Sequence, residues 1–143
     1  MKPVALFILA AMNVSLRSQD LSGHLWKDRL ILLLTDDIQD ESYQKQLRIL
    51  NADTQGMSER KLVTYLVLPE KSALHNNTKN HWIEGLNLFK KYKGSDSNFE
   101  LVLIGLDGGV KRRFSDKPVK LQDLYAIIDG MPMRRAEMRR KKY

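Results

Sequence analysis

Four carboxylates are clustered after the first strongly apolar segment of the chain. They are Asp36, Asp37, Asp40 and Glu41, and clustered carboxylates can bind a hard cation or act as general acid and base. The cluster lacks the alternating ligand spacing and the glycine of a calcium loop. Acidic residues are also common at a helix N-terminus, where they cap the backbone and interact favourably with the helix dipole. Capping is the preferred interpretation, and a carboxylate- or metal-dependent enzyme at this loop is the alternative.

The composition excludes several classes of chemistry. The 143-residue chain has no cysteine, so it can supply neither the thiolate of a thiol–disulfide oxidoreductase nor that of a thiol peroxidase. Its histidines, His24, His75 and His81, lack the i, i+4 spacing that places two imidazoles on one helix face. The sequence contains no phosphate-binding loop, dinucleotide fingerprint or nucleophile elbow. We therefore expect no catalytic residue, metal or cofactor in the leading hypothesis.

The N-terminal segment has the pattern of an export signal. Lys2 is followed by an apolar run from Val4 to Met12, and the composition then turns polar. This run is too short for a transmembrane helix of about 20 residues, whereas a basic residue before a short apolar run is typical of a signal peptide. We predict a signal peptide over residues 1–18, a mature chain from near Gln19 without a transmembrane span, and a periplasmic or secreted location.

Positive charge is concentrated at the C-terminus. The formal net charge is +7, and residues 134–143 hold six Lys or Arg and one Glu. We interpret this segment as a basic tail that follows a domain over residues 19–133. Such a tail can attract anionic lipid or polysaccharide, so an anionic-surface binder is a further alternative. Nucleic acid is disfavoured as a partner because the chain is predicted to be exported.

Hydrophobic spacing predicts the elements that position these groups. The continuous apolar run Arg29–Thr35 indicates a buried strand, and Leu62–Leu68 indicates a second one. Between them, apolar residues recur at helical spacing after Asp40, so the three segments form a β-α-β unit. The polar segment Glu70–His81 is predicted as a surface loop.

The second half of the chain predicts a helix, a hairpin and a final helix. The first helix is expected over Trp82–Lys93. Phe99–Leu106 and Val110–Ser115 are separated by Asp107-Gly108-Gly109, which is typical of a β-hairpin, and the charged second strand suits a sheet edge. The last amphipathic helix begins at Leu121 and ends near Gly130. The order β-α-β-α-β-β-α predicts a thioredoxin-like α/β fold with a central mixed sheet flanked by helices.

Three separate stretches carry a family resemblance. They are Trp26–Arg29 (WKDR), Ile104–Lys111 (IGLDGGVK) and Ile128–Met138 (IDGMPMRRAEM). With them, nearly the whole mature chain resembles the P-DUDES group, which joins exported bacterial domains of unknown function to animal matrix proteins of the sushi-repeat and DRO type. The resemblance implies a thioredoxin-like or peroxiredoxin-like fold in an exported protein, and it implies no established activity.

The leading functional hypothesis is a non-redox binding or assembly module. Methionine side chains fit irregular partner surfaces, and the last of the three stretches combines them with charged residues. The candidate binding residues are Met131, Met133, Arg134, Arg135, Glu137 and Met138. The expected partner is an exported protein or an anionic envelope or matrix component.

Overall fold

A six-stranded mixed sheet forms the centre of the protein. The computed structural model describes residues 21–76, 80–85 and 87–143, so the predicted signal peptide lies outside the described residues. The strands are β1 (Arg29–Thr35), β2 (Leu62–Val67), β3 (Lys71–Leu74), β4 (His81–Glu84), β5 (Phe99–Ile104) and β6 (Val110–Ser115). They are ordered β4-β3-β2-β1-β5-β6. The β1–β2 pair is parallel and the other pairs are antiparallel.

Helices cover the sheet. After a short 3₁₀ turn at Leu21–His24, they are α1 (Glu41–Asn51), α2 (Thr54–Glu59), α3 (Leu88–Tyr92), α4 (Leu121–Asp129) and α5 (Pro132–Arg140). In the part of the chain that the structure describes, no helix has the length and apolar character needed to cross a membrane. The predicted α/β class, with a central mixed sheet flanked by helices, is confirmed.

The strand β1 lies in the interior of the sheet, between β2 and β5, and is covered on both faces. All seven residues of β1 are buried, as the continuous apolar run predicts. Successive side chains of a strand point to opposite faces. Ile31 and Leu33 therefore join one hydrophobic cluster with α1 and α4, whereas Leu32 joins a second cluster on the other face with α3.

The sequence predicts the elements around β1 well. The strands β1 and β6 have the expected bounds, α1 begins directly after Asp40 as expected, and β2, β5 and α4 differ from their expected bounds by one or two residues. Gly108 in the hairpin turn has a φ of +80°, a conformation that favours glycine. As expected for its charge, β6 lies at the edge of the sheet.

The segment between β2 and β5 differs from the prediction. The predicted loop Glu70–His81 contains β3, and the predicted helix Trp82–Lys93 is wrong, since β4 occupies its start and α3 spans only Leu88–Tyr92. The reason lies in packing. Trp82 pairs with Ala73 across β3 and β4 and packs against one hydrophobic cluster, whereas Phe89 packs against the other. One helix face cannot pack against both sides of a sheet.

The acidic loop links β1 to α1. Asp40 is the N-cap of α1, and its side chain accepts a hydrogen bond of 2.8 Å from the backbone N–H of Tyr43. The Asp37 carboxylate accepts a bond of 2.9 Å from the N–H of Gln39. The capping interpretation is therefore confirmed for Asp40, and Asp36 is exposed.

We predict that Asp40→Ala lowers the free energy of unfolding by about 1 kcal/mol, because the N-terminal turn of α1 loses its cap. Asp36→Ala is the matched control, with the same charge change four residues earlier, and we expect it to cost less than about 0.5 kcal/mol. Urea denaturation of both variants measures the difference. Equal losses in the two variants would show that Asp40 does not act as a cap.

Candidate binding site

An apolar cleft opens at the N-terminal end of β1, between the β5–β6 hairpin and the junction of α4 with α5. Its volume is about 280 Å³, and its lining residues are Arg29, Gly105, Leu106, Asp107, Lys111, Met131, Pro132 and Met133. All of them belong to the three stretches that carry the family resemblance. The fold therefore brings these three distant stretches together around one cavity.

Trp26 stands at the surface next to this cleft. Its side chain is 64% exposed, and its backbone φ is +62°, which is unfavourable for a bulky side chain. The backbone N–H of Trp26 donates a hydrogen bond of 2.7 Å to the carbonyl of Leu106, a lining residue of the cleft. Unfavourable backbone conformations of this kind persist where the surrounding structure enforces them, and they are concentrated at functional sites.

The hairpin turn fits closely against the segment that carries Trp26. A Cβ atom on Gly108 would lie 2.7 Å from Cδ2 of Leu25, so that side chain would have to move, and the positive φ of Gly108 favours glycine. Leu25 and Met133 are each 44% exposed. Large apolar side chains therefore reach the surface both beside the turn and at the cleft.

A buried ion pair connects the start of β1 to α5. Arg29 is 1% exposed, and its guanidinium donates to both carboxylate oxygens of Glu137, at 3.1 and 3.3 Å. A further bond of 3.0 Å joins Arg29 to the backbone carbonyl of Arg60. This bidentate geometry is a strong form of ion pair, and it fixes α5 against the sheet.

A second buried arginine extends this pair to α4 and α2. Arg134, 3% exposed, donates from Nε to Asp129 at 3.0 Å and from its guanidinium to the Glu59 carbonyl at 3.2 Å. Arg60 also holds Asp129, with bonds of 3.1 and 2.9 Å, and its guanidinium lies 3.7 Å from the ring centre of Tyr125. We call Arg29, Arg60, Asp129, Arg134 and Glu137 the buried ion network.

The network holds its two carboxylates in the charged form. Burial alone would raise the pKa of Glu137, but the hydrogen bond from Arg29 and the charges of Arg29 and Lys61 hold that pKa below its ordinary 4.5. The pKa of Asp129 is likewise below its ordinary 3.8, because hydrogen bonds from Arg60 and Arg134 outweigh its burial.

The structure separates the candidate binding residues into three groups. Arg134 and Glu137 belong to the buried ion network, Met131 and Met138 are half-buried, and Met133 and Arg135 are exposed. Met131 and Met133 line the cleft. The helix α5 also runs across residue 134, so most of the predicted basic tail, up to Arg140, is helical.

Two residues of the site have functions that sequence spacing did not reveal. Arg60 lies in no motif and contacts Asp129 from a separate segment. Arg29 lies in the WKDR stretch and at the start of the predicted strand Arg29–Thr35, and neither feature indicates that its partner is Glu137, 108 residues later. An arginine at the start of a fully apolar strand was the available signal, since a buried charge requires a partner.

The acidic loop lies at the other end of β1 from the cleft. The Thr35 hydroxyl oxygen lies 2.9 Å from the carbonyl of Asp37 and 2.7 Å from that of Asn98, and its single O–H donates to one of them at a time. Across residues 21–76, 80–85 and 87–143, no group of three His, Asp or Glu side chains is placed to hold a metal ion. The observed contacts of Asp37 and Asp40 are to the backbone of their own loop and of α1.

Two of the histidines have hydrogen-bond partners on both ring nitrogens. His24 bonds Asp28 at 2.8 Å and the Tyr65 hydroxyl at 2.7 Å. His75 bonds the side-chain oxygens of Asn51 and Asn80, at 2.7 and 3.0 Å. These contacts tie the segment before β1 to β2 and the end of β3 to α1.

We expect Glu137→Ala to lower the free energy of unfolding by about 3–5 kcal/mol, because it leaves the buried guanidinium of Arg29 without its carboxylate. Glu59→Ala is the matched control. Glu59 is also paired, with Lys141 at 3.5 Å, but both side chains are about half exposed, so its loss should cost less than about 1 kcal/mol. Chemical denaturation gives both values, and a small effect of Glu137→Ala would contradict the structural role of the network.

Stability should also depend on pH through the same carboxylates. The folded pKa values of Glu137 and Asp129 lie below the ordinary 4.5 and 3.8. The two carboxylates therefore add to the free energy of unfolding, and their full contribution is present above about pH 4.5. This stability is lost as the pH falls through the lower folded values. Glu137→Gln should therefore show a smaller fall in unfolding free energy between pH 6 and pH 3 than the unchanged protein, and an identical fall would exclude this linkage.

The comparisons with known proteins agree with this fold. A domain of unknown function, DUF4174, matches residues 20–137. The structure is similar to the crystal structure of reduced 2-Cys peroxiredoxin from Plasmodium vivax, with a TM-score of 0.52 and 14% sequence identity, over 86% of this chain and 85% of that one. At this identity the likeness concerns the fold alone, which is thioredoxin-like. By the match over residues 20–137, the chain belongs to the DUF4174 family.

Proposed function

We propose that this domain is a non-redox binding or assembly module that works outside the cytoplasm. Its contact surface consists of the cleft, Trp26, and the outward face of α5 from Met133 to Arg140, which we call the cleft surface. The observation that carries the proposal is the convergence of three distant stretches on one apolar cavity beside an exposed tryptophan.

The side chains of this surface have the composition of a protein interface. Tryptophan, methionine and arginine are enriched in interfaces, and tryptophan and arginine are the commonest residues to contribute much of the binding energy. Trp26, Met133 and Arg135 are all exposed. The hydrogen bond from Trp26 to Leu106 and the buried ion network hold these groups on rigid elements, so little conformational entropy is lost when a partner binds.

The corner after β1 supports a non-redox function. Redox-active thioredoxins carry the attacking thiolate at this position, before the first helix. Here the corner contains Thr35–Asp40, and the chain has no cysteine at any position. Because Asp37 and Asp40 bond backbone N–H groups, no observation favours the alternative of a carboxylate-dependent enzyme.

Export is supported by the N-terminal sequence. Lys2 and the apolar run Val4–Met12 are typical of a signal peptide. Cross-linking in the exported fraction of the host therefore tests location and binding in one experiment.

We predict that a photoreactive amino acid at Met133 forms a specific cross-link to a partner in the exported fraction, and that the same probe at Trp26 captures the same partner. Leu74 is the matched control position, because it is also apolar and 48% exposed, against 44% for Met133. It lies in β3, two strands from β1 on the side away from β5. Mass spectrometry identifies the cross-linked protein.

Equal yields at Met133 and Leu74 would contradict a specific surface. A partner captured only by probes in the acidic loop, at Asp36 or Asp37, would move the binding site to the other end of β1. A chain found only in the cytoplasmic fraction would contradict export.

A further inference from the structure

The buried ion network gives the cleft surface its charge. Asp129 and Glu137 turn inward to Arg29, Arg60 and Arg134. The remaining arginines of α5, which are Arg135, Arg139 and Arg140, are exposed. Within the described part of the chain, no carboxylate lies within 4.0 Å of any of them. The outward face of α5 is therefore positively charged and unneutralised.

We propose that the cleft surface binds an acidic segment of a partner protein, with one apolar side chain of that segment inserted in the cleft. This inference rests on the proposed function and specifies its partner. Carboxylates of the bound segment lie opposite Arg140, which follows Met133 by two helical turns and is therefore on the same side of α5. The apolar side chain contacts Leu106, Met131 and Met133.

The size of the cleft favours a single side chain. Its volume of about 280 Å³ is just below the roughly 300–1,000 Å³ of small-molecule pockets. Apolar atoms of Leu106, Met131 and Met133 line it, and Met133 is partly exposed at its edge. Methionine side chains adapt to irregular shapes, so the cavity can accept an aliphatic or aromatic side chain.

Charge also favours an acidic segment over a second copy of this chain. A symmetric dimer through the cleft surface would place the same patch on both subunits. Arg135, Arg139 and Arg140 of each copy would then meet like charges, which costs several kcal/mol across an interface. An acidic partner removes this repulsion and increases the association rate.

The recess favours a peptide over a lipid surface. Peripheral membrane proteins insert protruding apolar side chains between headgroups, and Trp26 and basic residues are also compatible with such binding. In that arrangement the cavity between α5 and the hairpin would remain unfilled, because a flat headgroup layer presents no side chain to it. Lipid binding is therefore the competing outcome of the test.

The test is a selection of random 12-residue peptides displayed on phage against the chain from Gln19. We expect the enriched sequences to combine several Asp or Glu residues with at least one large apolar residue. A synthetic peptide of the enriched sequence is then measured by fluorescence anisotropy. Replacing its apolar residue with Ser should weaken binding about tenfold or more, as expected for the loss of one buried side chain.

Variants of the protein locate the contact. Met133→Asp and Arg140→Glu should each weaken peptide binding about tenfold, because one blocks the cleft with a like charge and the other reverses a cation. Lys45→Glu is the matched control, because it reverses a charge at an exposed residue of α1. It should change the affinity less than about twofold. Raising the salt concentration from 50 to 300 mM should weaken binding through screening. Thermal unfolding confirms that each variant is folded.

Three results would overturn the inference. One is a selection that enriches neutral or basic peptides, or that enriches no peptide at all. Another is an affinity for the acidic peptide that does not depend on its apolar residue or on Met133. The last is binding to phosphatidylglycerol vesicles, lost in Arg140→Glu, without any enriched peptide. If cross-linking from Met133 captures a partner but the peptide test fails, only the partner chemistry is wrong. If neither experiment detects binding at the cleft surface, the proposed function fails as well.

Discussion

The ion pair between Arg29 and Glu137 is the interaction on which the arrangement of the C-terminal region depends. An arginine that is 1% exposed at the start of the central strand requires a charged partner, and α5 supplies it. Arg134 and Arg60 then share Asp129, which joins α4 to α5. With α5 fixed in this way, Met131 and Met133 face the hairpin and the cleft exists.

The same network determines the chemistry that the surface presents. The carboxylates of Asp129 in α4 and Glu137 in α5 are directed into the protein, and the arginines of α5 that the network does not use remain outside. The cleft and these arginines lie at the N-terminal end of β1, whereas the corner that performs redox chemistry in thioredoxins lies at its C-terminal end. The chain thus has a thioredoxin-like fold, while the stretches Trp26–Arg29, Ile104–Lys111 and Ile128–Met138 meet at the opposite end of the central strand.

Hydrophobic spacing was sufficient for β1, whose continuous apolar run predicts burial on both faces, and for α1, whose buried side packs against one cluster and whose N-cap Asp40 was also predictable. It failed for residues 70–93, because Trp82 and Phe89 have helical spacing but pack on opposite faces of the sheet. For the site, sequence identified the correct stretches but not their mutual contacts. Arg134 is of a residue type that is common in protein interfaces. Only the fold shows that its guanidinium is already hydrogen-bonded to Asp129 and to the Glu59 carbonyl.

The most direct test of the central claim is NMR chemical-shift mapping of the isotopically labelled chain from Gln19 with the partner protein identified by cross-linking. If the cleft surface is the contact surface, the largest shifts occur at the Trp26 indole, at the hairpin turn Gly105–Gly108 and in the first turns of α5. Shifts confined to Thr35–Asp40 would contradict the account, because they would place binding at the thioredoxin corner.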